Sequence, residues 1–296
     1  VPDLVKRVKE LGMPAVGITD HGNMHGAYEL WRAAVDSGVK PIIGIEAYVT
    51  PETARQDKTR VSWDTNWTPV PGHARNPDDV SGGGLITHLT MWAENDEGLV
   101  NLIKASSVAN LEGRVMRYPR MDKEVLSTYS KGVIASSGCP SGIIQTRLRL
   151  GQFDEALRAA GEFQDIFGKD NFYIELMDHG LSIESKVTGD LLTIAKKLGA
   201  PLLATNDSHY VMEADKDVQD AMLCINSGAT LDDPNRFKFE GSGYYIKSAE
   251  EMRELFKDHP DACDNTLEIA ERCNVIFDDH EDGAFMPQFD CPEGWD

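Results

Sequence analysis

The sequence predicts an α/β fold in which six strands, with a seventh expected ahead of the chain, close into a barrel. Short apolar runs alternate with amphipathic stretches over most of the 296 residues, and this alternation is typical of parallel strands joined by right-handed crossover helices. Several apolar runs end in Asp, His or Cys, and α/β proteins gather such polar side chains at the carboxyl ends of their strands. The length suffices for one large domain of this class or two smaller ones.

The elements follow in order from local patterns. Pro2 suits a first helical turn, and apolar residues on one face predict a helix over 2–11. Gly12 is expected to end that helix, and the buried run 16–19 follows as a strand. The remaining strands are predicted from apolar runs at 40–49, 85–92, 132–140, 171–178 and 201–210. The helices between them are predicted from amphipathic stretches at 27–37, 97–110, 153–167 and 182–198.

Three parts are predicted along the chain: a barrel over 1–214, a mainly helical extension over 215–277 and a polar linker over 278–296. The extension is expected to contain helices at 215–227, 248–257 and 260–273, and a β-like segment at 244–246. Residues 51–84 are rich in Pro, Asp, Asn, Thr and Gly and are predicted as a surface excursion. Because a barrel that opens on a helix lacks the strand before it, we expect a first strand to precede Val1.

The composition predicts a strongly acidic surface. Asp and Glu number 49 against 29 Lys and Arg, a formal net charge of −20 at pH 7, which repels nucleic acid at long range. A phosphate-bearing substrate would therefore need bound cations or another part of a larger protein. The five cysteines form no Cys-x-x-Cys pair, so we expect reduced thiols and a cytoplasmic location. No apolar run approaches the ~20 residues of a membrane span, so no membrane partner is expected.

Six side chains of metal-binding types lie in the predicted strands or just after them. The first follows the Thr-Asp dipeptide that ends the first strand, and the last two belong to an Asp-x-His pair. In a barrel the carboxyl ends of the strands converge on one rim, so we expect these residues to be neighbours. The set is His21, Glu46, His88, Cys139, Asp207 and His209. Imidazole, carboxylate and thiol groups together suit zinc, manganese or iron better than calcium or magnesium alone.

Taken singly, a strand histidine or a buried Cys139 is more often an ordinary core residue than a ligand. Glu46 differs, because a carboxylate among the isoleucines of its strand must be paired or metal-bound. His25, His179 and Glu175 are expected near the same rim and rank below the six. The sequence has neither a Gly-x-Ser-x-Gly elbow nor a Gly-x-x-x-x-Gly-Lys-Ser/Thr phosphate loop, the motifs that would indicate other hydrolase or nucleotide chemistry.

At these residues the sequence resembles the PHP (polymerase and histidinol phosphatase) domain of the C-family bacterial replicative polymerases, the DNA polymerase III alpha subunits, and looks most like actinobacterial versions. The resemblance covers nearly the whole chain and includes Thr-Asp-His at 19–21, Gly-Ile-Glu-Ala-Tyr at 44–48, Gly-Cys-Pro-Ser-Gly at 138–142 and Glu-Ile-Ala-Glu-Arg at 268–272. It implies a distorted, TIM-like (β/α)7 barrel whose first strand is missing here, with a helical C-terminal extension. In that family the first strand carries a His-x-His pair, which has no counterpart in this chain.

The resemblance also implies a site with up to three divalent metals, zinc first, with manganese, iron or magnesium as alternatives. The family's remaining metal ligands correspond to all six residues above. The implied catalytic set is His21, Glu46, His88, Asp207 and His209. The implied reaction is 3′→5′ exonuclease proofreading at the 3′ end of a DNA primer, in a protein whose polymerase carboxylates lie outside residues 1–296. The implied partners are the primer DNA and other replisome subunits such as the sliding clamp.

Two alternatives stay open at this point. In the first, the domain is a metal-poor structural element that braces the polymerase or docks a separate proofreading subunit. In the second, it is a stand-alone PHP phosphoesterase of the histidinol-phosphatase type, acting on a small phosphate monoester. The retained ligand types argue against the first alternative, and the helical region after residue 215 with its linker-like tail argues against the second.

Overall fold

The computed structural model describes residues 1–63, 76 and 78–278. In these ranges the strands are β1 (Ala15–His21), β2 (Lys40–Val49), β3 (Thr87–Ala93), β4 (Arg120–Met121), β5 (Val133–Ser136), β6 (Phe172–Leu176) and β7 (Leu202–Ala204). The α-helices are α1 (Pro2–Glu10), α2 (Ala27–Ser37), α3 (Asp96–Glu112), α4 (Lys123–Thr128), α5 (Ile143–Arg149), α6 (Phe153–Phe167), α7 (Ser182–Leu198), α8 (Lys216–Ser227), α9 (Ala249–Leu255) and α10 (Pro260–Arg272). Among the described residues, no helix has the length and apolar character needed to cross a membrane.

The seven strands form one curled sheet, so the distorted α/β barrel expected from the sequence is confirmed. The strand order is β1-β2-β3-β5-β6-β7, and the short β4 pairs with β2. Neighbouring strands are parallel at β1–β2, β5–β6 and β6–β7. Strand β3 is antiparallel to both of its neighbours. The sheet is therefore mixed, and the prediction of a parallel sheet with crossovers throughout is wrong at β3.

The connection before β3 differs from those between the parallel strands. Parallel strands need a crossover that returns the chain to its starting end, usually a helix. The described residues between Val49 and Thr87 contain no helix, and the antiparallel register shows that the chain re-enters the sheet at the end where β2 left it. This connection includes the predicted excursion 51–84, of which residues 64–75 and 77 lie outside the described residues.

Arg120, at the start of β4, anchors the described part of the excursion. Its side chain is fully buried. The guanidinium donates to the carbonyl oxygens of Arg55 and Asp57 at 2.6 Å each and to that of Gly113 at 3.2 Å. These carbonyl oxygens take the place of the water molecules that the guanidinium loses when it is buried. Neither β4 nor this role of Arg120 was predicted from the sequence.

The two faces of the sheet are covered differently. On one face, Ile43, Ile45 and Ala47 of β2 belong to the main apolar core that the helices cover. On the other face lies a smaller apolar cluster, to which α10 contributes Ile269. Its members are Trp92, Ile134, Tyr173, Leu203, Ile269 and Cys273. Successive strand residues alternate between faces, so Glu46 lies on the same face as this smaller cluster. Helix α10 thus fills the end of that face where β5 and β6 begin, and polar residues occupy the opposite end.

Most predicted elements have the observed bounds to within a few residues; the helix expected over 2–11, for example, is Pro2–Glu10. The strand predicted over 201–210 is too long, because β7 has only three residues. No strand includes Tyr244–Ile246, although the Tyr244 carbonyl accepts a hydrogen bond from the His209 N–H at 2.8 Å. Helices α4 and α5 were missed because one or two turns are too short to show helical periodicity. The predicted linker lies outside the described residues beyond Asp278.

Candidate metal centre

The residues singled out from the sequence lie at one end of the sheet. His21 is the last residue of β1 and pairs in register with Glu46 of β2. Cys139 follows β5, and Asp207 and His209 follow β7. Strands β1, β2, β5 and β7 run in the same direction, so their carboxyl ends share a rim. The arrangement expected from the sequence is therefore present for these five residues.

His88 reaches the same rim for a different reason. It is the second residue of β3, whose amino end lies beside the carboxyl end of β2 because β3 is reversed. In the register of the two strands, His88 lies opposite Tyr48 and Thr90 lies opposite Glu46. A β3 parallel to β2 would have carried His88 to the far end of the sheet.

Glu46 is the centre of the cluster. Its side chain is buried, with Oε1 2.5 Å from Nδ1 of His88 and Oε2 3.3 Å from Nδ1 of His21. One potential ligand atom from each of these three residues lies within 4.8 Å of the other two, so the three could hold one metal ion. The Sγ atom of Cys139 adds a fourth group, 3.4 Å from Oε1 of Glu46 and 3.3 Å from Nδ1 of His88.

The protonation states of Glu46 and Cys139 favour the binding of a cation by this cluster. Burial raises the pKa of Glu46, but the charge and hydrogen bond of His88, together with the charge of His21, outweigh it and lower the pKa to about 2. Burial and the negative charge of Glu46 raise the pKa of Cys139 well above that of an ordinary thiol. Glu46 is therefore ionised at neutral pH, whereas the thiol keeps its proton until a cation replaces it.

A glycine and a buried glutamate set the position of Cys139. Gly138 has a φ of +81°, a conformation that favours glycine, and its N–H donates to Oε2 of Glu175 at 3.1 Å. The hydroxyls of Ser136 and Thr205 donate to the same carboxylate at 2.5 Å each. Burial outweighs these hydrogen bonds and, with the charge of neighbouring carboxylates, raises the pKa of Glu175 to about 7. Glu175 thus ties the turn before Cys139 to the end of β7.

Asp207 and His209 line one cavity of about 590 Å³ together with His21, Glu46 and Cys139. The rings of His209 and His21 are 5.9 Å apart between centroids, and Nδ1 of His209 lies 3.8 Å from Oδ1 of Asp207. Asp207 has a φ of +44°, which is uncommon outside glycine. Burial and the charge of Glu46 raise the pKa of Asp207. Asp207 and His209 therefore lie at the same cavity as His21 and Glu46, with His209 beside His21.

The lower-ranked candidates have other positions. His179 is buried, with Nδ1 2.5 Å from Oε1 of Glu184 and Nε2 2.8 Å from the carbonyl oxygen of Asn206. It therefore supports the backbone before the Asp-x-His pair instead of joining the ligands. Glu175 lines the cavity, whereas His25 is exposed and is not among the lining residues.

Two residues near the cluster were not found from the sequence. Tyr48 stacks on His21 with ring centroids 6.2 Å apart, and its alternation with Glu46 in β2 is a signal that could have found it. Lys247 lines the cavity, with Nζ 2.7 Å from Oδ1 of Asn206. No local pattern points to Lys247, because it lies in no helix or strand.

Residues 1–179 match the PHP domain family, and the chain belongs to that family. Among curated relatives, the DNA polymerase III alpha subunit of Mycobacterium leprae is 50% identical over 297 residues, as is that of Mycobacterium tuberculosis. That of Saccharopolyspora erythraea is 54% identical over 270 residues. The three matches cover 100%, 100% and 91% of this chain but 25%, 24% and 22% of the relatives, so the chain spans about a quarter of their length. The resemblance described from the sequence is confirmed.

One solved structure, a provisionally assigned metal-dependent phosphoesterase from Bifidobacterium adolescentis, overlaps 70% of this chain and 81% of its own, with a TM-score of 0.36 and 15% identity. A similarity at that level carries no conclusion about activity.

Proposed function

We propose that this chain is the N-terminal PHP region of a DNA polymerase III alpha subunit and that it removes nucleotides from the 3′ end of a DNA primer by metal-dependent hydrolysis. The observation that carries the proposal is that one potential ligand atom from each of His21, Glu46 and His88 lies within 4.8 Å of the other two, at a cavity that an Asp-x-His pair also lines. The relatives at 50% identity are polymerase subunits, which makes DNA the expected substrate. From the same relatives we expect other replisome subunits, such as the sliding clamp, as partners. We expect the cytoplasm as the location.

The donor set fits a divalent metal. A buried, ionised carboxylate beside two imidazoles offers one oxygen and two nitrogen donors to a cation, and a buried thiol exchanges its proton for a metal. The residues that would hold the metals are His21, Glu46, His88, Cys139, Asp207 and His209. A mixture of nitrogen, oxygen and sulfur donors makes zinc the first choice, with manganese, iron and magnesium as alternatives, and up to three ions as the family resemblance implies. When bound, the metals would supply Lewis acidity toward the phosphate and an activated water.

The chain's own residues prepare the site for a phosphodiester. The two imidazoles orient the carboxylate of Glu46, and Glu175 orients the turn that carries Cys139. Four carboxylates line the cavity, those of Asp20, Glu46, Glu175 and Asp207. Without cations they would repel a phosphate, so substrate entry depends on bound metal.

The direct test is the release of 3′-terminal nucleotides from a labelled primer by the full-length protein. Release should stop in EDTA and return with added metal. Asp207→Asn should reduce the rate by more than the roughly 10- to 100-fold that substitutions outside the ligand shell typically cost. Asp190→Asn, in an exposed position of α7, is the matched control and should leave the rate unchanged. If Asp207→Asn retains the full rate, this site is not the nuclease.

The two alternative functions give different results with the same preparation. A structural domain that only braces the polymerase would show no bound metal by elemental analysis of the full-length protein. A phosphoesterase of the histidinol-phosphatase type would turn over a chromogenic phosphate monoester faster than primer DNA. Bound metal together with a preference for DNA would support the proofreading function.

A further inference from the structure

Lys247 is the one lysine or arginine among the described residues that line the cavity. Four carboxylates share that lining with it, and they belong to Asp20, Glu46, Glu175 and Asp207. None of the ion pairs among the described residues includes Lys247; its nearest polar contacts are uncharged oxygens. The cavity therefore holds a protein cation whose charge is not neutralised by direct contact with a described carboxylate.

The ammonium group of Lys247 is held in place by three contacts. Its Nζ donates to Oδ1 of Asn206 at 2.7 Å and to the carbonyl oxygen of Gly243, and it lies 4.8 Å from the ring centroid of Tyr245. The Nδ2 atom of Asn206 in turn donates to the carbonyl oxygens of Gly243 and Tyr245 at 2.9 and 2.8 Å. An ammonium group has three N–H donors, so one of them remains for a ligand.

The same contacts fix Lys247 relative to the candidate metal ligands. Asn206 directly precedes Asp207 in the chain. The backbone N–H of His209 donates to the carbonyl oxygen of Tyr244 at 2.8 Å. The segment that carries Lys247 is therefore hydrogen-bonded to the residue before the Asp-x-His pair and to the histidine of the pair, and the lysine and this pair form one unit at the cavity.

We infer that Lys247 binds a phosphate group of the substrate through its remaining N–H, an inference that rests on the proposed function. An ammonium is a compact point charge that binds phosphate oxygens by short, charge-assisted hydrogen bonds. The carboxylates whose charge acts on Lys247 belong to Glu251, Glu184, Glu213 and Asp178, and no described ion pair joins them to its ammonium. This charge therefore supplies attraction for an anion that the metals alone would otherwise have to provide. Lys247 is thus a substrate-binding residue next to the metal centre.

The experiment compares Lys247→Gln with Lys247→Arg in the full-length protein at equal metal content. Glutamine keeps a donor for Asn206 but removes the charge, and arginine keeps the charge. We expect Lys247→Gln to raise the Kd for inorganic phosphate, measured by calorimetry, and the KM for primer DNA by about 10- to 100-fold, the range for loss of a hydrogen bond to a charged group. Lys247→Arg should retain most of the affinity. Lys197→Gln, at an exposed position in the last turn of α7, should behave as wild type.

Phosphate affinity in Lys247→Gln equal to that of wild type would overturn the inference. If Lys247→Gln loses stability, Lys247→Arg decides: a folded arginine variant that binds phosphate supports a charge role, and one that does not bind it refutes that role. A wild-type protein that binds phosphate through Lys247 but releases no nucleotides would reject only the proposed nuclease. A wild type that releases nucleotides with a KM insensitive to Lys247→Gln would reject only the role of Lys247.

Discussion

The Nδ1 atom of His88 lies 2.5 Å from Oε1 of Glu46, across two strands that run in opposite directions. The contact keeps a buried carboxylate ionised, because the imidazole supplies the positive partner and hydrogen bond that burial removes. It exists only because β3 is reversed and presents its amino end to the rim. The metal centre proposed for this chain therefore depends on how one strand enters the sheet.

Glu46→Gln should remove metal from the protein. The amide has no negative charge to offer a cation, so we expect metal affinity to fall by more than the roughly 10- to 100-fold typical of substitutions outside the ligand shell. Elemental analysis of metal per chain after dialysis is the measurement. Glu29→Gln, at an exposed position of α2, is the control, and equal metal content in the two variants would exclude Glu46 as a ligand.

Glu175 should make the metal-free protein less stable as pH rises. Its pKa is about 7 in the folded protein against an ordinary 4.5, so the folded state keeps a proton that the unfolded state has already released. The free energy of unfolding should therefore fall by about 3 kcal/mol between about pH 4.5 and pH 7. Urea denaturation in EDTA across that range measures the fall, and Glu175→Gln should reduce it to the smaller part that the raised pKa of Asp207 contributes. An unchanged slope in the variant would show that Glu175 titrates normally.

Glu46 should produce the opposite pH dependence in the same measurement. Its folded pKa of about 2 is below the ordinary 4.5, so the unfolded state takes up a proton first as pH falls. The stabilisation that ionised Glu46 contributes is complete above pH 4.5 and should be lost as pH falls toward 2. Glu46→Gln should lack this acid-side loss. A variant that loses stability toward pH 2 as steeply as wild type would contradict the assignment.

Gly44→Ala should destabilise the sheet beside the cluster. A Cβ at Gly44 would overlap the carbonyl oxygen of Met91 and lie 2.7 Å from Cδ1 of Trp92, both in β3. Overpacking of this kind costs about 1–3 kcal/mol, and a shifted β3 should also weaken metal binding through His88. Gly17→Ala in β1 is the control, because its Cβ would have no neighbour closer than 3.8 Å. Equal urea midpoints for the two alanine variants would contradict the close packing at Gly44.

Arg120→Met should detach the described part of the excursion from the sheet. The guanidinium donates to the carbonyl oxygens of Arg55, Asp57 and Gly113, of which Gly113 also accepts from the backbone N–H of Arg120. We expect a loss of about 1–3 kcal/mol in the free energy of unfolding, with only partial rescue by Arg120→Lys because an ammonium has fewer donors. Arg114→Met, at an exposed position, is the control. Full stability of Arg120→Met would show that water satisfies these carbonyls.

The positions of most helices and strands could be predicted because their signals are local. Apolar alternation along β2 and the amphipathic pattern of α2 lie within single segments, where periodicity can be read. The same holds for Glu46, since a carboxylate in an apolar strand already indicates a paired or metal-bound group. Tyr244–Ile246 shows the limit of such signals: it pairs with the backbone after β7 but forms no strand of the sheet.

By itself, the sequence determined the α/β class, the order of the main elements and the ligand types at the rim, because each depends on residues close together in the chain. Only the tertiary structure decided the direction of β3, which carries His88 to the rim, and the placement of Lys247 beside the Asp-x-His pair. It also decided the burial of Arg120 beneath the excursion. These features depend on contacts between segments that are distant in the chain. A local sequence pattern cannot predict which carbonyl group or strand edge a distant residue will contact.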